Sequence, residues 1–121
     1  MGKIVEIEWI EDDSVEGDEK KLTVNFKKGL LITWNGRELP LDDNKTDVLW
    51  VIENNITDKT ERMVKAQSKI NITEVTRIPI KNGYKLLEPL NEQQMEKFVD
   101  RVGVLLDEIT QLNTLKEIYT D

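Results

Sequence analysis

The chain has 121 residues, 24 acidic and 17 basic, with no His and no Cys. That length suits one domain that can bury a core without a disulfide or a structural metal. A formal charge of −7 argues against direct binding to nucleic acid or anionic lipid, which needs clustered Lys and Arg. The missing His and Cys remove the commonest general base, the thiolate nucleophile and the usual zinc ligands.

Residues 3–11 place Val5, Ile7 and Trp9 on one face and Glu6 and Glu8 on the other, a period-2 pattern that predicts a half-exposed strand. Residues 21–26 repeat it, with Leu22, Val24 and Phe26 expected inward and Thr23 and Asn25 outward. After Lys28-Gly29 come Leu30, Ile32 and Trp34, expected on the inward face of a third strand. Asn35-Gly36 signals a type I′ turn, because these residues best tolerate positive φ at both central positions. A fourth strand over 37–41 should end near Pro40.

Val48-Leu49-Trp50-Val51-Ile52 is apolar throughout, and its length and β-branched content favour a buried strand over a short helix. From Arg62 to Thr73 the even positions carry Val64, Ala66, Ser68, Ile70 and Ile72 among polar neighbours, predicting another strand with a bulge near Glu74 and Val75. Pro79 points to a sheet edge, and Asn82-Gly83 to a hairpin into 84–87.

The period then changes. Asn91 with Gln94 forms a capping-box signature, and Met95, Phe98, Val102, Leu105, Ile109 and Leu112 follow at spacings of three and four. One amphipathic helix over roughly 92–119 is predicted. Val99 and Leu106 widen its stripe, so its first four turns should lie on the sheet and the rest project beyond it. Gly103, costly inside a helix, suggests a close approach by neighbouring backbone.

These elements describe a single α+β domain over 1–121, mostly β in 1–90 and a C-terminal helix in 91–121. The expected architecture is an antiparallel meander or rolled sheet of about six to seven strands packed by that helix. Such a layout resembles that of pleckstrin-homology-like domains in topology alone; no motif accompanies it and no function follows.

Glu6, Glu8, Glu11, Asp12, Asp13, Glu16, Asp18 and Glu19 stand without a base between Ile4 and the end of the run, and acids and bases balance over residues 20–121. The plain reading is a solvated strand edge and turn. The functional reading makes these eight residues a partner-binding surface for a basic protein, such as the nucleic-acid groove of another protein, which they would inhibit by imitating phosphate charge. Asp12, Ser14, Glu16 and Gly17 fit the start of an EF-hand loop, but Thr23 stands where its bidentate Glu belongs and strands flank the loop. Trp9, Trp34 and Trp50 are expected to be core residues, with a ligand pocket or an interface hot spot as the alternative.

No Gly-x-Ser-x-Gly elbow or Gly-rich phosphate loop is present. No catalysis, cofactor or metal is expected. Lys outnumbers Arg 13 to 4, and Ala66 is the single alanine, a bias that fits an AT-rich gene of a low-GC bacterium, phage or plasmid. With no signal-peptide core or membrane-length apolar run, a cytoplasmic location is expected. The expected role is that of a small interaction or regulatory protein that binds another protein. The alternative is an assembly protein that forms homo-oligomers through its C-terminal helix.

Overall fold

The structure is a computed structural model that describes residues 4–13 and 18–120. Strands β1 (Glu6–Asp13), β2 (Asp18–Asn25), β3 (Leu30–Ile32) and β4 (Glu38–Pro40) form one antiparallel sheet in sequence order. Helix α1 (Lys45–Ile70) follows, then the separate hairpin β5 (Thr76–Ile80) and β6 (Gly83–Leu87), then helix α2 (Glu92–Tyr119). The protein is α+β with six described strands in a four-plus-two arrangement. A long helix between β4 and β5 breaks the uninterrupted meander of a pleckstrin-like layout.

The register of the sheet fixes its core face. Ile7 lies opposite Val24, Val24 opposite Leu31 and Leu31 opposite Leu39, so this row shares one face. Ile7, Val24 and Leu31 are buried, Leu39 is half-buried, and Trp9 and Leu22 flank them on the same side. The expected phase of β3 is therefore reversed: Leu31 faces the core, while Leu30 and Ile32 are only half-buried. The cause is the connection Phe26–Gly29, whose four residues pair even-numbered positions of β2 with odd-numbered positions of β3. Thr23, expected outward, is buried, and Val5, expected inward, is exposed.

The turn after β3 also differs from expectation. Gly36 N–H donates to the Thr33 carbonyl at 2.9 Å and Thr33 N–H to the Arg37 carbonyl at 2.9 Å. Trp34 and Asn35 are thus the central residues of the turn, and Gly36 alone has positive φ, at 81°. This is the turn-plus-bulge form of hairpin, in which one left-handed residue suffices.

Residues 48–52 and 62–70 belong to one helix, not to two strands. Val48, Val51, Ile52 and Ala66 are buried and Ile56, Lys59, Met63 and Ile70 half-buried, a three-four spacing that spans the whole element. Val64 is exposed, so the alternation over 62–73 does not mark a core face. Asp47 in the first turn and Lys69 in the last complement the helix dipole. Helix α2 has the expected bounds. Asn91 Oδ1 accepts from Gln94 N–H at 2.8 Å, and Gln94 Oε1 accepts from Asn91 N–H at 3.2 Å.

Packing divides the molecule into a head and a stalk. In the head, the sheet is covered by the first half of α1 and the last turns of α2: Val48, Val51, Ile52 and Leu112 are fully buried with Ile7, Val24, Leu31 and Leu41. Trp9 and Trp50 meet edge to face at 6.4 Å, and Phe26 packs on Tyr119 at 5.8 Å. The α2 expectation is thus inverted. Leu115 and Tyr119 pack on the sheet core, while Val99 and Leu106 are exposed on the stalk. A Cβ on Gly103 would meet nothing within 4 Å, so no backbone approaches it.

The stalk is the antiparallel remainder of the two helices. Only Ala66 and Leu105 are buried there among the described residues, and Lys59 pairs with Glu108 at 2.6 Å. At its far end the chain makes the β5–β6 hairpin. Among the described residues no helix is long and apolar enough to cross a membrane.

Candidate interaction surfaces

The acidic run is brought together only in part. Glu6 and Glu8 are exposed on β1, on the face opposite Ile7. Glu6 Oε2 accepts from Asn25 Nδ2 at 3.0 Å, and Glu8 pairs with Lys21 at 2.9 Å. Both carboxylates are thereby engaged by their neighbour strand, as cross-strand pairs in a sheet ordinarily are. The register sets Glu11 opposite Lys20, Asp12 opposite Glu19 and Asp13 opposite Asp18. Glu16 and the EF-hand-like positions Ser14 and Gly17 lie outside the described residues, and among the described ones no acidic group is arranged to hold a metal ion.

The three tryptophans separate. Trp9 and Trp50 are half-buried and packed on the head core, whereas Trp34 is 64% exposed. Trp34 sits on a loop ordered by its own side chains: Thr33 Oγ1 donates to Asn35 Oδ1, and Arg37 N–H donates to both Thr33 Oγ1 and Asn35 Oδ1. Together with Trp50, Leu22 and Leu39 it lines an open cleft of about 520 Å³ that also carries Arg37 and Asp47. Such a cleft has the size of a small-ligand site, and its two indoles could cover a flat apolar group.

A cluster of exposed apolar side chains lies where the sequence predicts strands of the sheet. It belongs to the β5–β6 hairpin. Ile80 pairs with Gly83 across the two-residue connection Lys81-Asn82, and Pro79 lies opposite Tyr84. Pro79 is tolerated because each strand of a two-stranded hairpin is an edge. All of β5 is exposed, and so is β6 except for Leu87. Ile78, Ile80, Tyr84 and Leu86 are exposed by 39, 53, 56 and 47%. Its two strands pack on each other and on little else.

The register gives the hairpin two mixed faces. Ile78, Ile80, Lys85 and Leu87 share one; Arg77, Pro79, Tyr84 and Leu86 share the other, where the Arg77 guanidinium lies over the Tyr84 ring at 4.6 Å. A lone two-stranded hairpin is marginally stable in water, and this one presents aromatic, aliphatic and arginine side chains, the types that anchor protein interfaces. Sequence alternation revealed the strands but not the absence of anything covering them. No protein-family model matches the chain, and no curated protein or solved structure matches it.

Proposed function

We propose that this chain is a small non-enzymatic interaction protein whose helical stalk presents the β5–β6 hairpin to a protein partner. One observation carries the reading: four large apolar side chains on the ten strand residues of the hairpin are exposed and lie away from the core. The same group buried in an interface gains on the order of 25 cal/mol per Å² of apolar area removed from water. The acidic run supports a partner with a complementary basic surface through its long-range field, and the described carboxylates Glu6 and Glu8 already have partners in their own sheet.

The test places a photo-crosslinking residue at Tyr84 and, as a control, at Lys27 in the head. A partner captured at position 84 should bind the purified wild-type chain saturably, and Ile80→Ser/Tyr84→Ser should abolish that binding with the circular dichroism spectrum unchanged. Equal capture at both positions, or full binding by the double variant, would overturn the reading.

A second reading is favoured by Val99 and Leu106, which are about half exposed on the outer side of α2. In it the partner is another copy of the chain and the stalk is an assembly element. Light scattering on the eluting protein separates the two: a stable dimer that Leu106→Asp converts to monomer supports self-assembly, and a monomer at all concentrations leaves the partner protein.

A further inference from the structure

We infer that the groove between α1 and α2 in the stalk is a binding site for a compact, multiply charged oxyanion of the polyphosphate class. The groove is lined by Arg62, Lys65 and Lys69 of α1 and Arg101 of α2, around Phe98. Ala66 and Leu105 complete the lining, and no carboxylate contributes to it. Its volume of about 480 Å³ falls in the range of small-ligand sites.

Three features distinguish this cluster from an ordinary solvated face. First, two of the cations share one ring. Lys69 Nζ lies 5.7 Å and the Arg101 guanidinium 5.2 Å from the centre of the Phe98 ring. One aromatic ring thus has cations from two helices beside it, an arrangement that gains cation–π attraction at the cost of charge repulsion. Second, among the described residues Lys65, Lys69 and Arg101 form no ion pair, whereas the stalk's Lys59 pairs with Glu108. Arg62 engages Asp58 through Nε at 3.0 Å, and its guanidinium has further N–H donors beyond that one. Third, the cluster runs against the composition. The stretch of α1 that lines the groove, residues 62–70, carries three bases and no acid in a chain of net charge −7. Like charges at helical spacing destabilise a helix, so a bound anion would relieve the repulsion that the free groove carries.

The chemistry selects the ligand. Arginine forks fit the paired oxygens of phosphate and carboxylate, and lysines add point charge. Four cations lining one groove, two of them at the Phe98 ring, match an anion carrying several charges in a small volume, as a di- or triphosphate does. Fields are screened over about 8 Å at physiological ionic strength, so a compact ligand senses the cations of the groove alone; a nucleic-acid strand would run on towards Arg77, Lys81 and Lys85 of the hairpin region, and the oligonucleotide comparator below tests that alternative.

The test is titration of the full chain with tripolyphosphate, followed by calorimetry and by amide chemical shifts, with sulfate and a short single-stranded oligonucleotide as comparators. Saturable submillimolar binding is expected, with shifts at Lys65, Lys69, Phe98 and Arg101. Lys65→Gln/Lys69→Gln should weaken it at least about tenfold, and Arg101→Gln should weaken it independently. These side chains are exposed, and melting curves verify that the variants fold. Lys27→Gln/Lys28→Gln, two exposed lysines of the head, should change affinity less than about twofold, and Ile80→Ser/Tyr84→Ser should leave it unchanged, which separates this site from the hairpin's role. Absence of saturation at millimolar tripolyphosphate, equal losses in the two lysine double variants, or oligonucleotide binding much tighter than tripolyphosphate at matched ionic strength would each overturn the assignment.

Discussion

Head and stalk are built from the same two helices and are held together by different means. In the head, each helix closes over a sheet, and fully buried Val48, Val51, Ile52 and Leu112 interlock with Val24 and Leu31. In the stalk the helices have only each other, Ala66 and Leu105 are its buried residues among those described, and the cationic groove opens between them. Two helices side by side cannot surround an apolar stripe, whereas a sheet with two helices can. Stability therefore resides in the head, and the stalk is free to carry groups that a core would reject: exposed Ile80 and Tyr84, and lysines without carboxylate partners.

The largest expected effect tests where the core lies. Leu31→Ala should cost about 2–5 kcal/mol, because Leu31 is fully buried in the cluster it shares with Val48, Val51, Ile52 and Leu112. Ile32→Ala, one residue away on the other face, should cost about 1 kcal/mol, in keeping with partial burial. Urea unfolding of both variants gives the difference, and equal losses would refute the assigned register of β3.

The next effect separates the two regions directly. Leu105→Ala removes the larger of the two side chains buried in the stalk among the described residues, beside α1 but away from the head cluster. The lost packing lowers the cost of opening the stalk locally. Hydrogen exchange should therefore accelerate over residues 60–70 and 95–106, while the amides of β2 and β3 keep their protection. Uniform loss of protection would show that the two regions fold as one cooperative unit.

How far the sequence revealed this division depends on how local each signal was. Helix α2 was legible because Asn91 and Gln94 mark its start by contacts within four residues, and its three-four apolar spacing runs from Met95 to Leu112, weakening only at Lys116. Helix α1 was obscured at both ends. Val48–Ile52 is apolar on every side because it lies between the sheet and α2, and a short apolar run has no period to read. Over 62–73 the alternation arose from residues such as Val64 that face water; the stripe Met63, Ala66 and Ile70 shows its helical spacing once it is joined to Val48 and Val51. The pairing of β3 depended on the parity of a four-residue connection that composition does not fix. The hairpin was visible as strands, but whether a strand is covered is decided by the rest of the fold. The groove was missed for a related reason: Arg101 is distant in sequence from Lys65 and Lys69, and only the antiparallel pairing of the helices unites them.

A smaller effect, of opposite sign, sharpens the contrast. Gly103 is helical and exposed, with open space where a Cβ would stand. Gly103→Ala should therefore stabilise α2 by about 0.5–1 kcal/mol, since alanine loses less backbone entropy in a helix. If the stalk opens separately from the head, the gain appears as slower hydrogen exchange around residue 103 with little change in the global unfolding midpoint. A matching rise in the global midpoint would instead couple the stalk to the head. Loss of stability would mean that some neighbour occupies the space beside Gly103.

The smallest effect belongs to the head and concerns a single proton. Tyr119 packs its ring against Phe26 and the core, and its phenol is raised above the usual 10.0, chiefly by burial, then by the negative charge of Asp42, with Lys45 opposing. A raised value means that the folded state holds the proton more tightly than the unfolded chain. The resulting stability is fully present below pH ~10 and is lost as pH rises through the folded value. Tyr119→Phe removes the ionisation and keeps the ring contact. Wild type should accordingly lose stability relative to Tyr119→Phe on going from pH ~9 into the range above ~10, and the two proteins should run parallel below it. Asp42→Asn should make the loss smaller and end it at lower pH, by removing a charge that favours the protonated phenol in the fold. Urea unfolding across this range reads the difference, and parallel curves throughout would show that the phenol is as well solvated in the fold as in the unfolded chain. Because Tyr119 lies at the end of α2 that covers the sheet, the proton-linked change should register in the exchange rates of β2 and β3 and leave those around Ala66 and Leu105 as they were.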